Sequence, residues 1–231
     1  MNRPTRRVTI SSLIAILIAI FAFPIGSRAD VAEGIDAFLS GNRITAWREL
    51  LPAARAGDAE AQFYVGTMYR HGFGTEADAD EGHFWLTRAA SQGYVRAKFV
   101  LGFDAIQEGR PAADNIVAAA QAGFAPAQYF AGVLYRDGNG VPPNTLIALG
   151  WFLQAAEQDH LPAQYAAAWL LAAPPQDVRQ DVVAAYRWFV LAAHGGFPAA
   201  AESRDSLRAS MTPKQIETAQ TEAGRWISRH R

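Results

Sequence analysis

Small and apolar residues recur along this chain in a phrase of about a dozen residues. One copy runs from Ala59 to Tyr69, and Ala61, Val65 and Tyr69 follow each other in it at intervals of four. This spacing places the three side chains on one face of an α-helix. A loop with two glycines comes next and then a second helical stretch, so the pattern predicts one helix over about 59–70 and another over about 80–91.

The alanine inside each phrase marks the period of the pattern. It returns after 36, 30, 36 and 36 residues, at Ala61, Ala97, Ala127, Ala163 and Ala199. A fixed period of this size, built from two helices, is typical of stacked helix pairs. The sequence therefore predicts an all-α fold: a right-handed α/α solenoid with an N-terminal signal peptide and C-terminal capping helices.

The order of residues within the period resembles the Sel-one-like repeat (SLR), an α/α relative of the tetratricopeptide family. The first full copy matches it at Ala61, Val65, Gly66, Tyr69, Gly72, Gly74, Asp78, Trp85, Ala89, Ala90 and Gly93. The third copy matches it at Ala127, Gly132, Tyr135, Gly138, Gly140, Val141, Trp151, Ala155 and Ala156. The resemblance covers about residues 43–197, and it implies an adaptor that assembles or restrains other proteins without catalysis.

The repeat register divides the chain into seven segments. They are a signal peptide (1–29), a degenerate first helix pair (30–58), repeat 1 (59–94), a shortened repeat 2 (95–124), repeat 3 (125–160), repeat 4 (161–197) and C-terminal capping helices (198–231). In the cap, Thr212 is a good N-cap and Pro213 suits the first position of a helix. The inner face of that helix is predicted to hold Ile216, Ala219, Ala223, Trp226 and Ile227.

The N-terminus has the features of an export signal. Three arginines, at positions 3, 6 and 7, precede an apolar run from Ile10 to Phe23, and Ser27-Arg28-Ala29 has small residues where a signal peptidase needs them. The run is shorter than the roughly 20 residues that span a bilayer. We therefore expect a periplasmic or secreted protein of a bacterial cell envelope. The alternative is a tethered module that contacts the membrane only through an uncleaved signal segment.

Composition excludes several classes of function. The whole chain has a formal charge of −1, and cleavage after residue 29 removes four arginines and no acid, which leaves about −5. Without a basic stripe, nucleic acid is not an expected partner. The absence of cysteine excludes disulfides, iron–sulfur clusters, thiolate zinc sites and cysteine nucleophiles.

Catalytic signatures are also missing from the sequence. The five histidines show no metal-ligand spacing, and no serine-hydrolase, phosphate-loop or dinucleotide motif is present. The sequence predicts no cofactor, no metal and no catalytic residue. The main interpretation is a scaffold that binds a protein partner. An enzyme or accessory protein of peptidoglycan or polysaccharide metabolism, with a cell-wall glycan as ligand, remains the alternative, because distant carboxylates can meet in a fold.

Candidate binding residues come from the first helix of each pair, which usually lines the concave side of a solenoid. Trp85, Trp151 and Trp188 share one repeat position, which favours core packing, whereas Trp169 stands at a varying position and is either a ligand contact or a packing residue. The positions predicted to bind a partner are Gln62, Thr67, Arg70, Lys98, Phe103, Ile106, Gln128, Val133, Arg136, Gln164 and Trp169. Arginine and tryptophan are common interface hot spots, so Arg70, Arg136 and Trp169 are expected to contribute most.

The export signal gives a direct prediction. Cleavage after Ala29 would leave Asp30 as the mature N-terminus, and mass spectrometry of protein from the envelope fraction measures this. A membrane-embedded species that retains residues 1–29 would contradict cleavage and support the tethered alternative.

Overall fold

The computed structural model describes residues 28–175 and 178–230. Almost all of the predicted signal peptide therefore lies outside the described residues. The chain divides into two compact units, with the boundary between Tyr94 and Val95. Each unit is described by itself.

The described residues form twelve α-helices and no strand. The first unit contains α1 (Arg28–Leu39), α2 (Arg43–Ala56), α3 (Ala59–His71) and α4 (Ala79–Ser91). The second unit contains α5 (Val95–Gln107), α6 (Ala113–Gln121), α7 (Ala125–Asp137), α8 (Thr145–Ala156), α9 (Leu161–Ala172), α10 (Val182–His194), α11 (Ala200–Arg208) and α12 (Pro213–Arg229). The helices predicted over 59–70 and 80–91 are confirmed as α3 and α4. Of the helices formed by the described residues, none is long and apolar enough to cross a membrane.

Successive helices pack as pairs, and the pairs stack. In the first unit α1 packs on α2 and α3 on α4, while α2 and α3 join the two pairs. In the second unit the pairs are α5 with α6, α7 with α8, and α9 with α10, joined through α6–α7 and α8–α9 contacts. The predicted all-α architecture of stacked helix pairs is thereby confirmed.

The two helices of a pair approach most closely at a small residue of the first helix. A Cβ added to Gly66 would lie 2.9 Å from Cγ of Leu86, and one added to Gly132 would lie 2.5 Å from Cε1 of Phe152. Real Cβ atoms do not come this close, so only glycine fits at these crossings. Side chains of the second helix fill the space instead, and Phe152 is completely buried.

The repeated tryptophans contribute to packing, although not equally. Trp188 is fully buried and Trp85 is 7% exposed, as predicted for core residues. Trp151 is only partly buried against the core of its unit, because its neighbour Phe152 occupies the buried position at the helix crossing.

Helix α12 covers the end of the second unit by packing on α10. Thr212 accepts a hydrogen bond from the backbone N–H of Gln215, whose side chain accepts one from the backbone N–H of Thr212. This reciprocal capping box fixes the predicted helix start. Trp226 is 6% exposed, its ring lies edge-on to Trp188 at 6.5 Å, and its Nε1 donates to Oε2 of Glu157 at 3.2 Å. The predicted inner face of α12 is confirmed, with Ala219, Ala223 and Trp226 buried.

Replacement of Trp226 tests how much this cap stabilises the fold. Trp226→Ala should lower the free energy of unfolding by about 3–5 kcal/mol, because it removes a large buried ring and leaves a cavity. Urea denaturation measures the loss. Glu217→Ala, on the exposed side of the same helix, is the matched control and should stay within about 0.5 kcal/mol of the parent protein. Equal stability of the parent and the Trp226 variant would show that α12 is not a stabilising cap.

Candidate partner-binding surface

Three of the residues predicted to meet a partner lie inside the fold. Gln62, Gln128 and Gln164 occupy the same place in α3, α7 and α9, and they are 0%, 4% and 0% exposed. The expectation that these glutamines face a partner is therefore wrong. Their recurrence at one repeat position was a sign of a structural role, because ligand-contacting positions vary between repeats whereas stacking positions do not.

Each of these glutamines joins its helix pair to the preceding one. The amide nitrogen of Gln62 donates to the carbonyl oxygen of Ala54, near the end of α2, at 3.1 Å. Gln128 and Gln164 donate in the same way to Ala120 and Ala156, at 3.3 and 3.2 Å. In every case the acceptor lies eight residues upstream, at the C-terminus of the preceding helix. Burial of an amide without a hydrogen bond would cost free energy, and the hydrogen bonds to these carbonyls avoid that cost.

In two of the three copies, the amide oxygen accepts a hydrogen bond from a residue that follows the second helix of the same pair. Oε1 of Gln62 accepts from Nε2 of Gln92, and Oε1 of Gln128 accepts from Nε2 of Gln158, both at 2.7 Å. Oε1 of Gln164 is buried and has no hydrogen-bond partner among the described residues. The position that corresponds to Gln92 is Gly195 in this copy, which has no side chain to donate.

Two of the predicted hot spots lie together in the second unit. Arg136 on α7 and Trp169 on α9 both line a groove of about 550 Å³. We call this the helix-A groove, since it follows the first helices of two successive pairs. Its other lining residues include Tyr129, Tyr165, Leu170 and Phe197. Aromatic and other apolar side chains thus form most of its walls.

Trp169 is exposed and is nevertheless held in place. Its side chain is 52% exposed, and its Nε1 donates to the hydroxyl of Tyr165 at 2.8 Å. That hydroxyl lies 3.3 Å from Oγ of Ser203 on α11. Since the indole N–H already has a partner, what Trp169 offers a ligand is the apolar surface of a ring in a fixed position.

A second, more polar groove shares Trp169 as a wall. It has a volume of about 420 Å³ and is lined on the α11 side by Glu202, Ser203, Ser206 and Ser210. We call it the serine groove. Hydroxyls and a carboxylate beside an aromatic ring can donate and accept hydrogen bonds while the ring covers an apolar face.

Arg136 supplies the charge at the helix-A groove, and its neighbour Asp137 balances it. Nε and Nη2 of Arg136 donate to the two carboxylate oxygens of Asp137 at 2.7 and 2.9 Å. This hydrogen bonding lowers the pKa of the Asp137 carboxyl and raises the pKa of Arg136. The pair is exposed, so a partner carboxylate can compete for the guanidinium at small cost.

The structure does not gather the other predicted residues at this groove. Thr67 and Arg70 belong to the first unit, where the Thr67 hydroxyl donates to the carbonyl of Phe63 at 2.9 Å and Arg70 is exposed. On α5, Phe103 packs edge-on against Phe130 at 5.2 Å, Ile106 packs partly buried against the core, and Lys98 is half-buried. Val133 on α7 is also partly buried against the core. Their role in binding stays a prediction.

Sequence reasoning missed the residues that position Trp169. Tyr165 stands four residues before Trp169, and side chains four residues apart on a helix are neighbours. That spacing was a usable signal. Ser203 lies 38 residues from Tyr165 in sequence, and no local pattern could have connected them.

His160 fixes the start of α9, the helix that carries Trp169. Its Nδ1 accepts from the backbone N–H of Ala163 at 3.3 Å, and its ring lies 5.1 Å from that of Tyr129 in the groove wall. Partial burial lowers the pKa of His160 from its usual 6.5. The neutral ring is the form that can accept this hydrogen bond.

Both grooves present side chains that can contact a ligand. Within the described ranges, no group of three or more His, Asp or Glu side chains could hold a metal ion. The groove walls offer aromatic faces, hydroxyls, one carboxylate and one guanidinium, which are groups that bind and orient a ligand.

Comparison with known proteins places the repeats in a family. Residues 59–94, 125–160 and 161–197 match the Sel1 repeat. Chitin synthase regulatory factor 3 of Schizosaccharomyces pombe is 35% identical over an alignment of 111 residues, and the match covers 44% of this chain and 12% of that protein. The chain therefore spans only a small part of this curated relative.

Solved structures share the fold. The crystal structure of a protective antigen present in uropathogenic Escherichia coli strains, with an SLR fold, has a TM-score of 0.78 and 24% identity, over 92% of this chain and 48% of that one. A Sel1 repeat protein from Oxalobacter formigenes has a TM-score of 0.71 and 23% identity, over 85% and 82% of the two chains. At these identities the likeness establishes the fold alone.

The lowered pKa of His160 predicts a pH dependence of stability. Because folding favours the neutral ring, the contribution of His160 is complete above its usual pKa of 6.5 and is lost as the pH falls toward the folded-state value. The free energy of unfolding should therefore decrease between about pH 8 and about pH 5, and His160→Asn, which keeps a capping acceptor, should reduce that decrease. Urea denaturation across this range measures both. An unchanged pH profile in the variant would contradict the role of His160.

Proposed function

The chain contains three Sel1 repeats, and from that premise we propose that it is an exported, non-catalytic scaffold that binds a protein partner through the helix-A groove. The family supports a role in protein interaction in general. The groove supplies the specific surface for this proposal.

The position of Trp169 is the observation that carries the proposal. Its large aromatic ring is half exposed, is fixed by a hydrogen bond to Tyr165 and stands between two grooves, so it offers a partner a substantial apolar surface. Fixing the ring before binding reduces the conformational entropy that a complex would lose. A partner would gain apolar contact with a surface that is already in place.

Arg136 adds specificity to the same groove. Its guanidinium stands beside aromatic walls, so it suits a partner segment that combines an apolar side chain with a carboxylate or carbonyl acceptor. Such a pair of anchors in one groove is a common composition of interface hot spots.

Export is part of the proposal, and its support comes from the N-terminal sequence. The arginines, the short apolar run and the small residues at Ser27 and Ala29 favour a cleaved signal. A scaffold in the bacterial envelope, periplasmic or secreted, would find its partner there.

The serine groove favours a second candidate, an accessory protein that binds an envelope glycan. Ser206 and Glu202 stand beside Trp169, and sugars present both an apolar ring face and many hydroxyls. Retention of glycan fragments, rather than of a defined protein, would distinguish this candidate.

A comparative pull-down from envelope extract tests the proposal. The parent protein should recover a defined protein partner, and the double variant Trp169→Ala/Arg136→Ala should lose it, since each replacement is expected to cost about 1–2 kcal/mol of binding free energy. The matched control is Leu146→Ala. Leu146 is 55% exposed on α8 and lines neither groove, so this variant should recover the partner normally.

Folding is checked for each variant by circular dichroism and urea denaturation. Full recovery of every partner by a folded double variant would contradict binding through the helix-A groove. Loss of the partner in the Leu146 control as well would show that recognition does not depend on this surface.

A further inference from the structure

A positively charged cleft lies between α10 and α12, away from the two grooves that share Trp169. Its volume is about 680 Å³, and it is lined by Arg187, Glu222, Gly224, Arg225, Ser228 and Arg229. Three guanidinium groups thus face one carboxylate. We call it the arginine cleft.

The charges that line the cleft are incompletely balanced. Glu222 is the one carboxylate among its described lining residues, and its Oε2 is 3.8 Å from Nη1 of Arg187, which is longer than a hydrogen bond. Nε of Arg187 is buried and has no hydrogen-bond partner among the described residues. The guanidinium of Arg187 lies over the ring of Trp188, with Cζ 4.6 Å from the ring centroid.

The two other arginines lie one turn apart on α12. Nε of Arg229 donates to the carbonyl of Arg225 at 3.3 Å, and both side chains are exposed. Residues four apart on a helix have Cβ atoms about 5–6 Å from each other. In a helical or extended partner segment, neighbouring side chains on one face are separated by about the same distance as Arg225 and Arg229.

The floor of the cleft is kept open by a glycine. Gly224 lies inside α12, and a Cβ added to it would meet no atom within 4 Å. Packing therefore does not require glycine at this position, although glycine is unfavourable inside a helix. A larger side chain here would enter the cleft.

We propose that the arginine cleft binds an acidic segment of a partner protein. Carboxylates on successive turns or alternate residues of that segment pair with Arg225 and Arg229, and the charge of Arg187, which Glu222 balances only at 3.8 Å, adds to the attraction. Arginine forms two parallel hydrogen bonds with a carboxylate, which suits a row of single negative charges. The nearby Glu222 disfavours a compact dianion such as phosphate more than a row of separated carboxylates.

Binding of a labelled oligoglutamate peptide to residues 30–231, the chain expected after signal-peptide cleavage, tests this proposal. Fluorescence anisotropy at low ionic strength should show saturable binding that weakens as salt is added. Arg225→Gln/Arg229→Gln should weaken binding about tenfold or more, the scale of one or two lost charge-assisted hydrogen bonds. Gly224→Leu, which fills the cleft without changing any charge, should weaken it as well.

The matched control is Arg96→Gln/Arg208→Gln. It removes two exposed arginines of the same unit that do not line the cleft, so the change in net charge is identical. Unchanged binding by this control supports the proposal. Equal weakening in both double variants would overturn it in favour of general charge attraction, and so would an absence of binding by the parent protein. Displacement of the peptide by equimolar inorganic phosphate would also overturn it, because the cleft would then be a small-anion site.

Discussion

A buried glutamine amide connects each helix pair to its neighbour in three of the repeats, and the stacking depends on it. The end of a helix leaves carbonyl groups without intrahelical donors. The carbonyl of Ala54 accepts from the cap N–H of Gly57 and also from the side chain of Gln62, which belongs to the next pair. The same bond recurs at Gln128 and Gln164. Because the bond runs from one pair to the next, it sets the register in which the pairs stack.

This arrangement determines which residues remain for recognition. Positions that recur, such as the crossing residue Gly132 and the amide of Gln128, are occupied by packing within and between pairs. Side chains at positions that vary between repeats can change without disturbing the packing of the helix pairs. Trp169 is one of them, and the bond that holds it comes from Tyr165 rather than from the repeat framework.

Much of the fold could be predicted from sequence, because periodicity and turn chemistry are local signals. The period, the small residue at each crossing and the N-cap at Thr212 all lie within short windows of the chain. The sites could not be predicted in the same way. The hydroxyl of Ser203 reaches Tyr165 across a complete repeat, and Arg187 meets Glu222 only after the chain has turned back.

The error at the glutamines is instructive for repeat proteins. The tryptophans at one shared repeat position are predicted to pack, which is confirmed for Trp85 and Trp188. The glutamines at another shared position are predicted to meet a partner, because they lie on the first helix of each pair, and this prediction is wrong. A polar residue that recurs at one repeat position indicates a buried, structural role, as an apolar one does, when a backbone carbonyl of the neighbouring pair accepts its hydrogen bond.

A double-mutant cycle on Gln62 and Gln92 tests this account most directly. Gln62→Ala removes the amide that reaches Ala54, Gln92→Ala removes the donor to Gln62 Oε1, and the free energy of unfolding is measured for both single variants and the double variant. We expect Gln62→Ala to cost about 1–3 kcal/mol and the two residues to be coupled by at least about 0.5 kcal/mol. Stability equal to the parent in the Gln62 variant, with no coupling, would contradict a structural role for the glutamines.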